Sequence, residues 1–91
     1  MKIYITDCRN EKANYYNGQI SLEDMYNFLL EHSKLTVFGL IGMLPTIRQI
    51  HIYIDDKYGS VDIEFLLNDQ QLHVKNIYLA QILANNLKDI I

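Results

Sequence analysis

"HIYIDDKYGSVDIEF", residues 51–65, decides how this chain is read. Ile52 and Ile54 alternate with His51, Tyr53 and Asp55. After a short polar stretch, Val61, Ile63 and Phe65 alternate with Asp62 and Glu64. A period of two sends successive side chains to opposite faces of a strand. Two such runs around a turn predict a hairpin, apolar on one face and polar on the other. Asp56-Lys57-Tyr58-Gly59 supplies the turn, with Asp first and Gly fourth, as a type I turn prefers. Strands are expected over 47–55 and 61–67, with Asp55 paired to Ser60. That register sets Ile54 against Val61, Ile52 against Ile63 and Ile50 against Phe65.

A second tight turn at Asp69-Gln70 leads into "QLHVK", 71–75. It places Leu72 against Leu67 and Val74 against Phe65. The inner face then stays apolar across three strands. A slip of one residue would turn a whole strand over, so the agreement supports a three-strand meander.

Working outward, "KIYITDC" (2–8) alternates and is rich in strand formers, with Ile3 and Ile5 on one face and Tyr4 and Thr6 on the other. "RNEKANYYNGQI" (9–20) reads as a polar loop with a turn at Asn17-Gly18. Ser21 is a good helix N-cap with Asp24 at the capping-box position, and Ile20 and Met25 have the spacing of a hydrophobic staple. Leu22, Met25, Tyr26, Leu29 and Leu30 form the expected helix stripe, which fades near His32-Ser33-Lys34. "LTVFGLIGMLP" (35–45) is apolar without a clear period and reads as a buried strand or a buried helical turn ended by Pro45. A last helix is expected from Ile77 to Lys88, capped by Asn76, with Leu79, Ile82, Leu83, Leu87 and Ile90 as its stripe. Ala80 and Ala84 allow close packing. The expectation is a single α+β domain spanning 1–91, an antiparallel sheet with two helices on one face, in the order β-α-(x)-β-β-β-α.

Size and charge narrow the functions. Ninety-one residues make one domain with one compact core. Thirteen Ile, twelve Leu and ten aromatics supply enough apolar surface to offset ordering entropy. A net charge of −3 argues against a protein that lives on nucleic-acid phosphates. Cys8 is the only cysteine, so neither an internal disulfide nor a cysteine zinc site is available, which fits a reducing cytoplasm. "MKIYITDCRNEK" lacks the pattern of a signal peptide, and "LTVFGLIGML" is about half the length of a membrane helix. A cytoplasmic address is expected. The chain shows no Walker loop, nucleophile elbow, Gly-rich dinucleotide turn or paired-histidine helix, and no positioned base is identified for Cys8, which reads as an inert small hydrophobe at a strand end. No enzyme activity and no cofactor are expected.

In the sequence-derived register the polar face carries the rows His51–Glu64–Lys75, Tyr53–Asp62 and Gln49–Leu66–His73. Three readings of this face follow. The first is an ordinary solvated surface with cross-strand charge pairs. The second is a metal or acid–base site from His51, Glu64, Asp62 and His73. Zinc needs three or four ligands on one point, whereas these histidines lie on the outer strands and Lys75 would repel a cation. The third is a binding surface. Asp55, Asp56, Asp62, Glu64 and Asp69 gather around Tyr53 and Tyr58, and aromatics inside a charged rim are what interface hot spots use.

Two stretches resemble known families. "GLIG" (39–42) resembles the GXXG loop of KH domains, a resemblance that implies nucleic-acid contact. Its variable pair is Leu40 and Ile41 where that family is usually basic. From residue 21 onward the α-β-β-β-α order resembles a double-stranded-RNA-binding domain, but "VKNIYLAQ" carries Lys75 alone where that family clusters lysines. By analogy of layout only, the chain is also similar to small acidic phage proteins that inhibit host defence nucleases.

The resulting expectation is a non-catalytic protein-binding domain, an inhibitor or regulator whose partner offers a basic groove. Tyr53, Asp55, Asp56, Tyr58, Asp62 and Glu64 are its contacts, with Tyr15 and Tyr16 as additional ones. Neither direct nucleic-acid contact nor a membrane is expected. One alternative is a small-ligand or nucleotide sponge or sensor, with a pocket beside 35–45 where Gly39 and Gly42 expose backbone. The other is a structural homo-oligomer, a homodimer paired through an edge strand, either the first strand or 71–75.

Overall fold

The computed structural model describes residues 1–32, 39–67 and 69–91. The described strands are β1 (Lys2–Asp7), β2 (Asn14–Gln19), β3 (Ile47–Ile54), β4 (Gly59–Phe65) and β5 (Gln71–Lys75). The helices are α1 (Leu22–Glu31), the short α2 (Leu40–Met43) and α3 (Ile77–Leu87), and a 3-10 turn, Leu44–Thr46, leads into β3. The strands form one sheet in the order β2-β1-β3-β4-β5. The fold is α+β, with helices against the apolar face of the sheet.

Three expectations are corrected. The polar stretch 9–20 contains β2, which pairs antiparallel with β1. The first strand is therefore interior, and the edges are β2 and β5. The sheet is mixed rather than antiparallel, because β1 and β3 run parallel with Ile3 beside Ile50 and Ile5 beside Ile52. Parallel neighbours need a crossover, and β2, α1 and α2 provide it. β2 escapes sequence reading because its inner positions are Asn14, Tyr16 and Gly18, not aliphatics. Gly18 is required there: a Cβ would lie 2.8 Å from the Ile91 Cβ.

The meander forms, with each face as expected but with its rungs displaced. Ile54 pairs with Gly59, Ile52 with Val61 and Ile50 with Ile63, two positions from the expected register. Val61 pairs with Val74 and Ile63 with Leu72, four positions from expectation. Even displacements leave the side chains within the paired strands on their faces. β4 ends at Phe65, however, so Leu66 and Leu67, expected inside the strand, are exposed in the turn to β5, and Leu67 does not meet Leu72. The cause of the β3–β4 displacement lies in the hairpin turn. Asp55 Oδ1 accepts the N–H groups of Lys57 (2.8 Å) and Tyr58 (2.7 Å), so the loop is Asp55–Tyr58 and not Asp56–Gly59.

The caps follow the sequence. The Ser21 hydroxyl accepts the Asp24 N–H at 3.0 Å, and Asn76 Oδ1 accepts the Leu79 N–H at 3.0 Å. In α1 the buried side is Met25, Phe28 and Leu29, whereas Leu22, Tyr26 and Leu30 are exposed. Met25 and Leu29 of the expected stripe are thus inward, with Phe28 in place of Leu22, Tyr26 and Leu30. In α3 the smallest residues do much of the inward work: Ala80 and Ala84 are buried with Leu79, Leu83 and Leu87, Ile82 is half-buried and Ile90 is exposed. These residues join Ile3, Ile5, Ile50, Ile52, Ile54, Val61 and Ile63 in one core. Of the ambiguous 35–45 stretch, 40–43 is helical, and Gly39 caps it in the left-handed region at φ 69°. Residues 35–38 of that stretch, and Ser33 and Lys34 at the expected fade of α1, lie outside the described residues.

Candidate functional site

Because the helices cover one face, the other face of the sheet is open, and the register dictates what it displays. One row crosses all five strands: Asn17, Tyr4, His51, Asp62, His73. The next row is Tyr15, Thr6, Tyr53, Ser60, Lys75. A third is Gln19, Lys2, Gln49, Glu64, Gln71. The expected row His51–Glu64–Lys75 is thus replaced by His51–Asp62–His73, and Lys75 moves beside Ser60 and the hairpin tyrosines.

The hairpin end of this face is already tied together. Tyr58 OH lies 3.0 Å from His73 Nε2, and His73 Nδ1 lies 2.5 Å from Asp62 Oδ1. With neutral imidazole, Nδ1–H donates to the carboxylate and the phenol donates to Nε2. The Tyr53 and Tyr58 ring centroids are 6.0 Å apart, and Lys75 Nζ sits 5.3 Å from the Tyr58 centroid. Tyr53 OH donates to Asp55 Oδ2 at 3.3 Å. The Lys57 and Tyr58 N–H groups and the Tyr53 hydroxyl hold the Asp55 carboxyl below its usual range. Nearby Cys8, then burial and the Asp55 carboxylate, push the Tyr53 phenol above its usual range. Glu64 pairs with Arg48, beside the register shift between Ile47 and Gln49.

These contacts reassign the expected site residues. Asp55 is occupied as the acceptor of its own turn. Asp62 and Glu64 face outward, each with a partner: His73 hydrogen-bonds Asp62, and the Arg48 guanidinium offsets the charge of Glu64. Asp56 is exposed at the loop tip, and Tyr53 and Tyr58 form the aromatic centre. Tyr15 is 73 % exposed on the open face, whereas Tyr16 packs against the core. The two tyrosines are neighbours in sequence and opposites in the sheet.

The chain Asp62–His73–Tyr58 has the connectivity of a carboxylate–imidazole–hydroxyl relay. Its Asp62 and His73 side chains are about half exposed, at 48 % and 55 %, so water competes for every polar atom in it. The chain ties the Tyr58 hydroxyl to β5. His51 turns the other way, with Nε2 2.9 Å from Thr6 Oγ1 and its ring edge-on to Tyr4. The two histidines of the row therefore do not converge. Among the described residues no three His, Cys, Asp or Glu side chains are placed to hold a metal ion.

Tyr4, Thr6, Tyr15, Asn17, Gln49 and His51 line a shallow depression of about 500 Å³ at the other end of the face. Sequence reasoning missed this group. Tyr15 and Asn17 fall in a stretch that reads as a loop, and only the β1–β2 and β1–β3 pairings bring them beside His51. On the helix side, Leu22, Glu23, Tyr26, Ile41, Leu44 and Pro45 surround a shallow hollow of about 340 Å³. Among the described residues no helix is long and apolar enough to cross a membrane.

A scan against protein-family models, a search of curated proteins and a search of solved structures each found no match.

Proposed function

We propose that this chain is a non-catalytic binding domain that holds a protein partner against the hairpin end of its open sheet face, and so inhibits or regulates that partner. The observation that carries this reading is the Tyr53–Tyr58 pair at 6.0 Å, with Asp56 at the loop tip beside it and Asp62 one rung along, Glu64 lying a further rung away. Aromatic rings supply contact area with few rotatable bonds, and here one phenol is tethered to His73 and the other to Asp55. Side chains already held in place lose less entropy when a partner arrives. Arg48 offsets the Glu64 charge while Asp56 and Asp62 keep theirs, so the complement is a polar surface with basic groups. Electrostatics would then govern on-rate more than affinity.

The test is capture from the native host. Wild-type protein should retain a discrete partner, and Tyr58→Ala combined with Asp56→Lys should release it with an unchanged circular dichroism spectrum. Undiminished capture by the folded double variant removes this reading.

A second reading, a small-ligand sponge or sensor, is favoured by the hollow between α1 and Pro45. A native mass spectrum of freshly purified protein separates the two, because a sponge carries an added small mass and a protein binder does not.

A further inference from the structure

The structure assigns a second role to β5: it is the seam of an antiparallel homodimer, paired with β5 of a second copy through a two-fold axis at His73. This goes beyond the partner-binding reading and does not rest on it.

Three observations carry the inference. First, β5 is an edge of the sheet. The direction of its free backbone groups follows from the ladder on its other side. The Asn76 N–H donates to the Gly59 carbonyl at 3.0 Å, and the Phe65 N–H donates to the Gln70 carbonyl at 3.1 Å. In an antiparallel ladder, bonded pairs alternate with non-bonded ones. Leu72 and Val74 therefore bond inward to Ile63 and Val61. The N–H and C=O groups of Gln71, His73 and Lys75 point out from the edge.

Second, the inner side of this edge is apolar and incompletely covered. Leu72 is 40 % exposed, and Leu66 and Leu67 in the β4–β5 turn are exposed beside an apolar hollow of about 490 Å³ that includes Pro45 and Phe65. The opposite edge, β2, offers Tyr16 and Gly18 on that side, and Ile91 already lies over Gly18. An edge with an apolar flank is where a sheet can add a strand.

Third, the β5 sequence is complementary to itself. With the axis at His73, Gln71 faces the partner's Lys75 and Leu72 faces the partner's Val74, each twice. No like charges of fixed sign oppose each other, and the Leu72–Val74 pairs continue the apolar layer across the seam. The central histidines are each held against their own Asp62. The same register brings the Leu66–Leu67 turn toward the start of the partner's α3, where Tyr78 is exposed. The closed two-fold arrangement leaves no free β5 edge and stops at two copies. A five-residue seam is small against the roughly 1,600 Å² of a standard interface, so the dimer is reversible.

Sedimentation velocity over a wide concentration series tests the assignment. The wild-type protein should shift from monomer to dimer and go no further. Gln71→Pro removes an outward N–H while leaving the inner ladder intact, a change edge strands tolerate, and it should leave a folded monomer. Leu72→Lys should do the same by placing a charge on the apolar side of the seam. Wild-type protein that stays monomeric throughout overturns the assignment. So does a dimer that persists in both variants, or growth beyond two copies. If Gln71→Pro does not fold, Leu72→Lys decides alone.

Discussion

Ala80 of α3 stands against Gly59 of β4 with no room for a side chain between them. A Cβ on Gly59 would lie 2.9 Å from the Ala80 Cβ and 2.7 Å from the Ile77 Cα. The second of these is backbone and cannot swing aside. Gly59 thus lets the first turn of α3 sit directly on the sheet, and it also ends the Asp55–Tyr58 loop. The hairpin turn and the helix docking share one residue.

Gly59→Ala should therefore be destabilising although it adds a single methyl group. Overpacking at a rigid contact costs about 1–3 kcal/mol. Urea denaturation monitored by circular dichroism should show a lowered midpoint with an unchanged slope. A midpoint equal to wild type would mean that α3 lifts from β4 at no cost.

Asp7 should contribute stability that depends on pH. It is buried at the end of β1, where Arg9 Nε and Nη2 donate to its two carboxylate oxygens at 2.9 and 2.7 Å. The Arg9 guanidinium, and then its backbone N–H, hold the carboxyl below its ordinary value against the opposing effect of burial. A lowered folded-state pKa favours the fold above the unfolded value, near 3.8, and the advantage fades as pH falls through the folded value. Charge-assisted hydrogen bonds suggest a cost of about 2 kcal/mol for Asp7→Ala at neutral pH. Thermal melts of both proteins should differ at pH 7 and converge in strong acid. A gap that stays constant down to acid would show that the ionised carboxylate is not the source.

Asp55→Ala should loosen the hairpin without unfolding the domain. The substitution removes the acceptor for the Lys57 and Tyr58 N–H groups and the partner of the Tyr53 hydroxyl. Amide exchange should quicken at Lys57 and Tyr58 and stay slow at Ile52 and Val61, whose N–H groups face β1 and β5. Because the Asp55 pKa is also lowered, the protection should persist above the ordinary carboxylate range and fall away as acid protonates the group. Unchanged exchange at Tyr58 would show that the loop is held by other contacts.

Sequence period carried the reading furthest where apolar residues were dense. Ile52, Ile54, Val61 and Ile63 lie on the covered face, and His51, Tyr53, Asp62 and Glu64 on the open one, as alternation requires. Ser21 and Asn76 announce their helices because capping is a local interaction. The α1 stripe was less legible: Phe28 points inward, and no local preference separates it from Tyr26.

The sequence alone therefore determined the faces of the meander, the two helix caps and the α+β class. The tertiary structure alone decided which residues meet across those faces. A two-residue slip preserves every face yet replaces every partner. The choice between registers rested on the Asp55 turn and on the approach of α3 to Gly59. Tyr58 meets His73, and Tyr15 shares a face with His51, only because strands distant in the chain are brought side by side. No spacing within one strand encodes such a meeting.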